Sequence, residues 1–456
     1  MKDWRESSVK AKFWTKTGTN GRVNCHLCPR ECSLNKNQMG FCKVRGNSEG
    51  ELHSYNYGKS VAATEEVIET EAVNHFMPGA RILSLGNIGC MFTCDFCQNW
   101  QTSQVKHLDP SVVQFYTPEQ VVDMAIKNDI KVLSWTYNDP VVWHEFVYDT
   151  AKLAKEKGLI NLYKSAFYIQ EKPVEELIEV IDIFSLSLKS MDPEFYRDIT
   201  KGELQPMLDA TKQVYKSGKH LEISQLLITE RNEGEDDVRK TVQWILDELD
   251  ASVPLHFVGF HPAYKYLNVK RTSKERLLRA REIALEMGMI NVYIGNVYED
   301  EMADTKCTEC NHTQVKRFGL TTEIVGLTKD SMCTNCNHPS SVKFPFMGTE
   351  ERANTNTSWD VVSNKDYTWN EEVKSLHLAS PVDSNECINL QVRHIGTEIH
   401  RNYILGDGGL SRVIVSRSTA EESGIEVRWD KKTKISFMPV LDRAHFPIAE
   451  TVDEVR

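Results

Sequence analysis

The sequence predicts an α/β protein centred on a parallel sheet, either an open doubly wound sheet or a full or partial β/α barrel. Three observations carry this. Between about Arg81 and Ile294, seven short apolar runs alternate with amphipathic stretches. Apart from Cys387, the twelve cysteines fall into three groups that flank or interrupt this pattern. After Val342 the chain changes to short runs of alternating apolar and polar residues split by Gly and Asp. Strand–helix alternation builds a sheet covered by helices, and in both architectures reactive groups gather at the C-terminal ends of the strands. Four regions follow: a four-cysteine metal-binding region (1–74), the β/α core (75–302), a cysteine-rich insert (303–341) and a small β-rich appendage (342–456).

The core strands are expected at RILSL (81–85), KVLSW (131–135), LINLYK (159–164), DIFSLSL (182–188), LEISQLLI (221–228), LHFVGF (255–260) and INVYI (290–294). The helices between them carry recognisable ends. Thr117-Pro118-Glu119-Gln120 offers an N-cap, a proline at the first helical position and a Gln to complete a capping box. Gly158 closes the helix that ends KLAKEKG, and the helix SKERLLRAREIALEMG runs from Ser273 to Gly288. In the appendage, INLQVRHIG, RVIVSRS, IEVRW and KISFMPV read as strands, and NTNTSWDVVSNKD (354–366) as a surface linker.

At 456 residues, with 26% charged and 40% hydrophobic, the chain has the composition of a globular protein of two or three domains. A net charge of -11 argues against a general nucleic-acid binder. No apolar run approaches the eighteen or so residues that cross a bilayer, and MKDWRESSVKAK lacks the apolar core of a signal peptide. A cytoplasmic protein is expected, with no membrane partner. In that reducing setting, clustered cysteines point to metal rather than disulfides.

Cys90, Cys94 and Cys97, in GCMFTCDFCQNW, follow the first core strand and the loop Gly86-Asn87-Ile88-Gly89. Three thiols are an odd number: structural zinc takes four ligands and a disulfide two. A zinc site completed by His107 is one reading. A [4Fe–4S] cluster with one iron left open is the other, since such a cube normally takes four thiolates.

The C-x3-C-x2-C spacing after a first strand, with Phe96 before the last cysteine, resembles the radical S-adenosylmethionine (radical SAM) superfamily. NCHLCPRECSLNKNQMGFCKVR (24–45), HFMPGARILSLGNIGC (75–90), CDFCQNWQTSQ (94–104), TYNDP (136–140), LAKEKGL (153–159), FHPAYK (260–265) and NVYIGNV (291–297) extend the likeness. Together they resemble the radical enzyme of the AmmeMemoRadiSam system, which is related to the pyruvate formate-lyase activating enzymes. The resemblance covers roughly residues 20–340. It implies a full or partial TIM-like barrel in which Cys90, Cys94 and Cys97 bind the cluster and S-adenosylmethionine docks on its open iron. One electron then yields methionine and a 5′-deoxyadenosyl radical that abstracts hydrogen from substrate. It further implies Phe96 beside the adenine, Asn138 and Asp139 at the cofactor's amino group, and Lys189 and His261 at its carboxylate and ribose. An external electron donor of the flavodoxin or ferredoxin kind is implied as well. Two departures stand out: Ser187 replaces an acidic residue two positions before Lys189, and Phe167 stands where the related group tends to have Asn-Gly.

Two further cysteine groups complete the inventory. Cys25, Cys28, Cys32 and Cys42 form C-x2-C-x3-C-x9-C, a four-thiolate set suited to zinc or to an auxiliary iron–sulfur cluster, with zinc slightly ahead. Cys307, Cys310, Cys333 and Cys336, in the near-copies CTECNH and CTNCNH, predict a zinc ribbon. The function expected is a radical SAM enzyme acting on an unidentified substrate, possibilities being a protein, an RNA or a small molecule. Activation of a glycyl-radical partner and a catalytically degenerate metal-binding module are the alternatives.

Overall fold

The computed structural model describes residues 4–18, 20–296, 302–318, 321–345, 363–369, 375–379, 387–396, 400–406, 410, 412–416, 422–431 and 435–440. Eight strands form its centre: β1 (Lys59–Val67), β2 (Arg81–Asn87), β3 (Val132–Thr136), β4 (Ile160–Ser165), β5 (Ile183–Leu188), β6 (His220–Leu227), β7 (Leu255–Gly259) and β8 (Val292–Gly295). They pair in sequence order, β2 to β8 parallel and β1 antiparallel to β2. Among the described residues β8 does not pair back to β1, so the fold is a partial barrel.

Every residue of β3 is buried, as are all but one of β4 and of β5. Parallel strands covered on both faces read as near-continuous apolar runs, and this made all seven legible. β1 was not. It carries Glu65 and Glu66, both buried, and so lacks the apolar run that marks its neighbours. Its place in the sheet means that the barrel starts before residue 74.

The longer helices are α1 (Pro118–Lys127), α2 (His144–Glu156), α3 (Glu171–Val180), α4 (Gln205–Lys216), α5 (Glu235–Glu248) and α6 (Lys274–Glu286). The capping box of α1 forms as its sequence requires. Thr117 N donates to Gln120 Oε1 at 2.8 Å, and Gln120 N to Thr117 Oγ1 at 3.3 Å. Gly158 follows α2 at φ +75°, where a left-handed residue ends the helix.

The flanking regions pack onto this sheet. Two small antiparallel sheets from residues 9–54 cover the start of the chain. In the insert, Thr305–Lys306, Thr313–Phe318 and Thr321–Ile324 form a three-stranded sheet. The appendage is not a separate body beside the barrel: Arg412–Ser416 pairs parallel with β1, Arg412 opposite Thr64, and carries strands Ser375–Ala379 and Ser436–Val440 with it. Ser363–Thr368, Gly424–Trp429, Cys387–Ile395 and His400–Gly406 make a further four-stranded sheet. Of the expected linker, residues 363–366 therefore lie in a strand, and the rest falls outside the described residues. So does the side chain of Cys387. No helix among the described residues is long and apolar enough to cross a membrane.

Candidate active site

The C-terminal ends of β2 to β8 open on one cavity of about 440 Å3, within the usual range for small-molecule sites. Cys90, Cys94, Phe96, Cys97, Asn138, Asp139 and Lys189 all line it. His261 does not: it is buried beyond β7 against Arg271, whose Nε lies 2.8 Å from His261 Nδ1. His107 is also outside, packed edge-on against Trp100 at 4.8 Å.

The cysteine loop is shaped by close packing. Gly89 sits at φ +83°, and a Cβ there would stand 2.8 Å from the Cys42 carbonyl oxygen and from Val44, so only glycine fits. Phe92 N donates to Cys90 Sγ at 3.3 Å, and Ser103 Oγ lies 3.3 Å from Cys97 Sγ. Burial pushes all three thiols up, Cys94 to about 12, and the Lys189 cation works against this at Cys94 and Cys97. Three desolvated thiols on one wall suit a metal centre, because coordination supplies the positive charge that burial withholds. Phe96 lies beside them, 5.9 Å from Lys189 Nζ and near Phe195 and Tyr266.

The loops after β3 and β4 meet this wall. Asn138 Nδ2 donates to Asn87 O at 2.5 Å and to Thr102 Oγ1 at 3.0 Å, tying β2 to β3. Its amide nitrogen is thus engaged within the protein. The half-buried Asp139 carboxylate accepts from Ser165 Oγ at 2.9 Å, Ala166 N at 2.9 Å and Val141 N at 3.2 Å. Burial raises its pKa, and those backbone N–H groups oppose the rise. Tyr137 and Phe167, one residue or two past their strands, have φ +64° and +56°. A left-handed backbone at a bulky residue costs of order 1–3 kcal/mol and is held only where surroundings dictate it. Phe167 keeps the conformation that a glycine would adopt freely. Its ring turns into the core, 5.8 Å from Phe184, and is not part of the cavity lining. Ser187 does line the cavity.

The same cavity has a polar wall that no motif announces. Glu66 accepts from Ser84 Oγ and Tyr137 Oη, each at 2.8 Å. Glu71 accepts from Ser134 Oγ at 3.0 Å and Thr136 Oγ1 at 2.9 Å. Lys164 Nζ donates to Ser185 Oγ, Ser224 Oγ and Glu71 O. The insert contributes Arg317, and the appendage His377 and Ile414. Burial, then the neighbouring Glu71, lifts the Glu66 carboxyl to about 7. Native Glu66 thus keeps its proton above the pH at which an unfolded glutamate loses it. Stability falls as pH rises from the ordinary carboxylate range through about 7, the reverse of a salt-bridged acid. Glu66→Gln should therefore raise the melting temperature by a few degrees at pH 8 and leave it unchanged below pH 4. Melting curves across that range decide; an equal shift at both ends would contradict it.

A match to the radical SAM superfamily covers residues 87–245, from the end of β2 into α5. An uncharacterized protein of Methanocaldococcus jannaschii, MJ0808, is 35% identical over 320 residues, 70% of this chain and 94% of its own. The chain belongs to the radical SAM superfamily. The pyruvate formate-lyase 1-activating enzyme of Escherichia coli is 22% identical over 227 residues, 46% of this chain and 91% of that one. Among solved structures, a radical SAM methyltransferase from Sphaerobacter thermophilus matches with a TM-score of 0.38 at 13% identity, over 52% of this chain and 72% of that one. Membership makes this protein a radical SAM enzyme, and the class uses a [4Fe–4S] cluster and S-adenosylmethionine.

Proposed function

We propose that Cys90, Cys94 and Cys97 hold the [4Fe–4S] cluster, and that S-adenosylmethionine binds in the cavity beside it, with an unidentified substrate facing the Glu66, Glu71 and Lys164 wall. A [4Fe–4S] cluster held there would supply the one electron that splits the sulfonium–C5′ bond of S-adenosylmethionine, releasing methionine and leaving a 5′ carbon able to take a hydrogen atom from substrate. The observation that carries this reading is the convergence of those three thiols, Phe96, Asp139 and Lys189 on one cavity at the strand ends.

The chain's own residues have separate tasks. Asp139 is a fixed carboxylate for the cofactor's ammonium, held by two backbone N–H groups and Ser165. Phe96 offers an aromatic face to the adenine, and Lys189 a cation to the carboxylate. Arg317 and His377 reach the same cavity from the insert and the appendage, where they can contact the substrate. A reductant of the flavodoxin or ferredoxin class is the expected partner, and the cytoplasm the expected compartment. The ribbon cysteines hold zinc: Cys307 Sγ and Cys336 Sγ lie 3.6 Å apart, and Cys310 Sγ and Cys333 Sγ 3.7 Å.

Asp139→Asn tests the cofactor site, because it keeps the shape and removes the charge. Affinity for S-adenosylmethionine should drop tenfold or more, the roughly 1.5–3 kcal/mol of a hydrogen bond to a charged group. Iron content should stay at the wild-type level, and an unchanged binding isotherm removes Asp139 from the site. A second reading, hydrogen abstraction from a glycine of a partner enzyme, is favoured by the likeness to the pyruvate formate-lyase activating enzyme. It requires a glycyl radical signal on a partner after anaerobic incubation.

A further inference from the structure

The ribbon sets a scale for the other cysteines. Its four sulfurs all lie within 4.8 Å of one another. Four thiolates each about 2.3 Å from one tetrahedral zinc stand about 3.8 Å apart, so these have the spacing of a single ion. Among the described residues, no other three ligand atoms of His, Cys, Asp or Glu are drawn together so tightly. Cys25, Cys28, Cys32 and Cys42 nevertheless share one site. All four line a single cavity whose walls include Leu27, Leu34, Phe41 and Met91.

Arg45 lines the same cavity and is only 2% exposed. Its Nη1 donates to both oxygens of Glu145 at 2.8 Å and its Nη2 to Lys12 O at 2.7 Å. Its Nε is buried without a hydrogen-bond partner. A buried donor left unpaired is costly, and at a cavity ringed by sulfur its natural acceptor is a thiolate or a sulfide. Four thiols too widely set for one ion, an apolar enclosure and a spare N–H together describe a larger group with sulfur on its surface.

We infer that Cys25, Cys28, Cys32 and Cys42 hold a second [4Fe–4S] cluster, one thiolate to each iron, with the Arg45 Nε–H donating to one of its sulfurs. The zinc expected there from spacing alone is replaced by iron and sulfide. The second cluster lies directly behind the catalytic loop: the Cys42 carbonyl packs on Gly89, and Arg30 Nε donates to Met91 O at 2.6 Å. If Cys90, Cys94 and Cys97 hold the catalytic cluster, as proposed above, the second one takes a single electron from the external low-potential donor and passes it on. The site itself does not depend on that role.

The test uses the full chain, reconstituted anaerobically with iron and sulfide. Replacing Cys90, Cys94 and Cys97 together by Ala should halve iron, acid-labile sulfide and the electrons taken up in a dithionite titration, with zinc unchanged. Iron falling to nil in that variant, with zinc at two per chain, overturns the inference. Should the variant not fold, the intact protein decides by electron paramagnetic resonance. Two reduced-cluster signals are expected, of which S-adenosylmethionine perturbs one. A single signal that responds fully to S-adenosylmethionine overturns the second cluster, and a single signal indifferent to it overturns the catalytic assignment instead.

Discussion

Cys94→Ala is expected to abolish formation of 5′-deoxyadenosine from S-adenosylmethionine while the ribbon keeps its zinc. Cys94 is the most buried of the three loop cysteines, and burial pushes its thiol up to about 12 against the pull of Lys189. Lys189 is the cation that works against this rise, and under the proposed assignment the cluster would supply the rest. If the three cysteines anchor the cluster as proposed, an alanine here removes one of the three protein ligands. The ribbon's cysteines belong to a separate sheet and fill their own site. Product assayed by chromatography, with iron and zinc measured on the same sample, separates the outcomes. Product at the wild-type level would sink the cluster assignment; loss of zinc alongside product would mean general unfolding.

How far the site could be seen in the sequence depended on how local its chemistry is. The cysteine loop, Asn138, Asp139 and Lys189 sit within a few residues of strand ends, so apolar runs located both the strand and the residues beyond it. His261 has the same relation to β7, but an arginine ten positions on takes its ring, which no spacing reveals. Glu66 and Glu71 stayed hidden for a different reason. TEEVIETE places four carboxylates within eight residues and carries no apolar run and no motif. Their burial becomes intelligible only when β1 joins β2 and meets Ser84, Ser134 and Thr136. Arg317 and His377 enter from modules far along the chain, and their convergence is a tertiary fact. The departures at Ser187 and Phe167 also look different in three dimensions. Phe167 does not occupy the cavity, and Ser187 shares the cavity lining with Glu66, Glu69 and Glu71.

Glu222→Ala should cost about 3–5 kcal/mol of stability, the penalty for leaving buried partners of a charge uncompensated. Glu222 is fully buried in β6. Its Oε1 accepts from His75 N at 2.7 Å, from Asn74 N at 3.0 Å and from His220 Nε2 at 2.9 Å, and its Oε2 from His256 Nε2 at 2.7 Å. These contacts hold its pKa well below the ordinary range despite burial. Stability from this carboxylate is therefore present above the unfolded pKa and lost as pH falls below it. Asn74 and His75 also anchor the insert: Arg317 Nη2 donates to Asn74 O at 2.6 Å, and Lys343 N to His75 O at 2.8 Å. Removing Glu222 thus loosens the attachment that brings Arg317 to the cavity. Glu222→Gln should be much milder, because burial keeps His256 neutral and its proton can move to Nδ1, letting Nε2 accept from the new amide. Denaturant midpoints for the two variants at pH 7 measure the difference. Equal midpoints would show that the carboxylate's charge, not its hydrogen-bond capacity, holds this part of the barrel together.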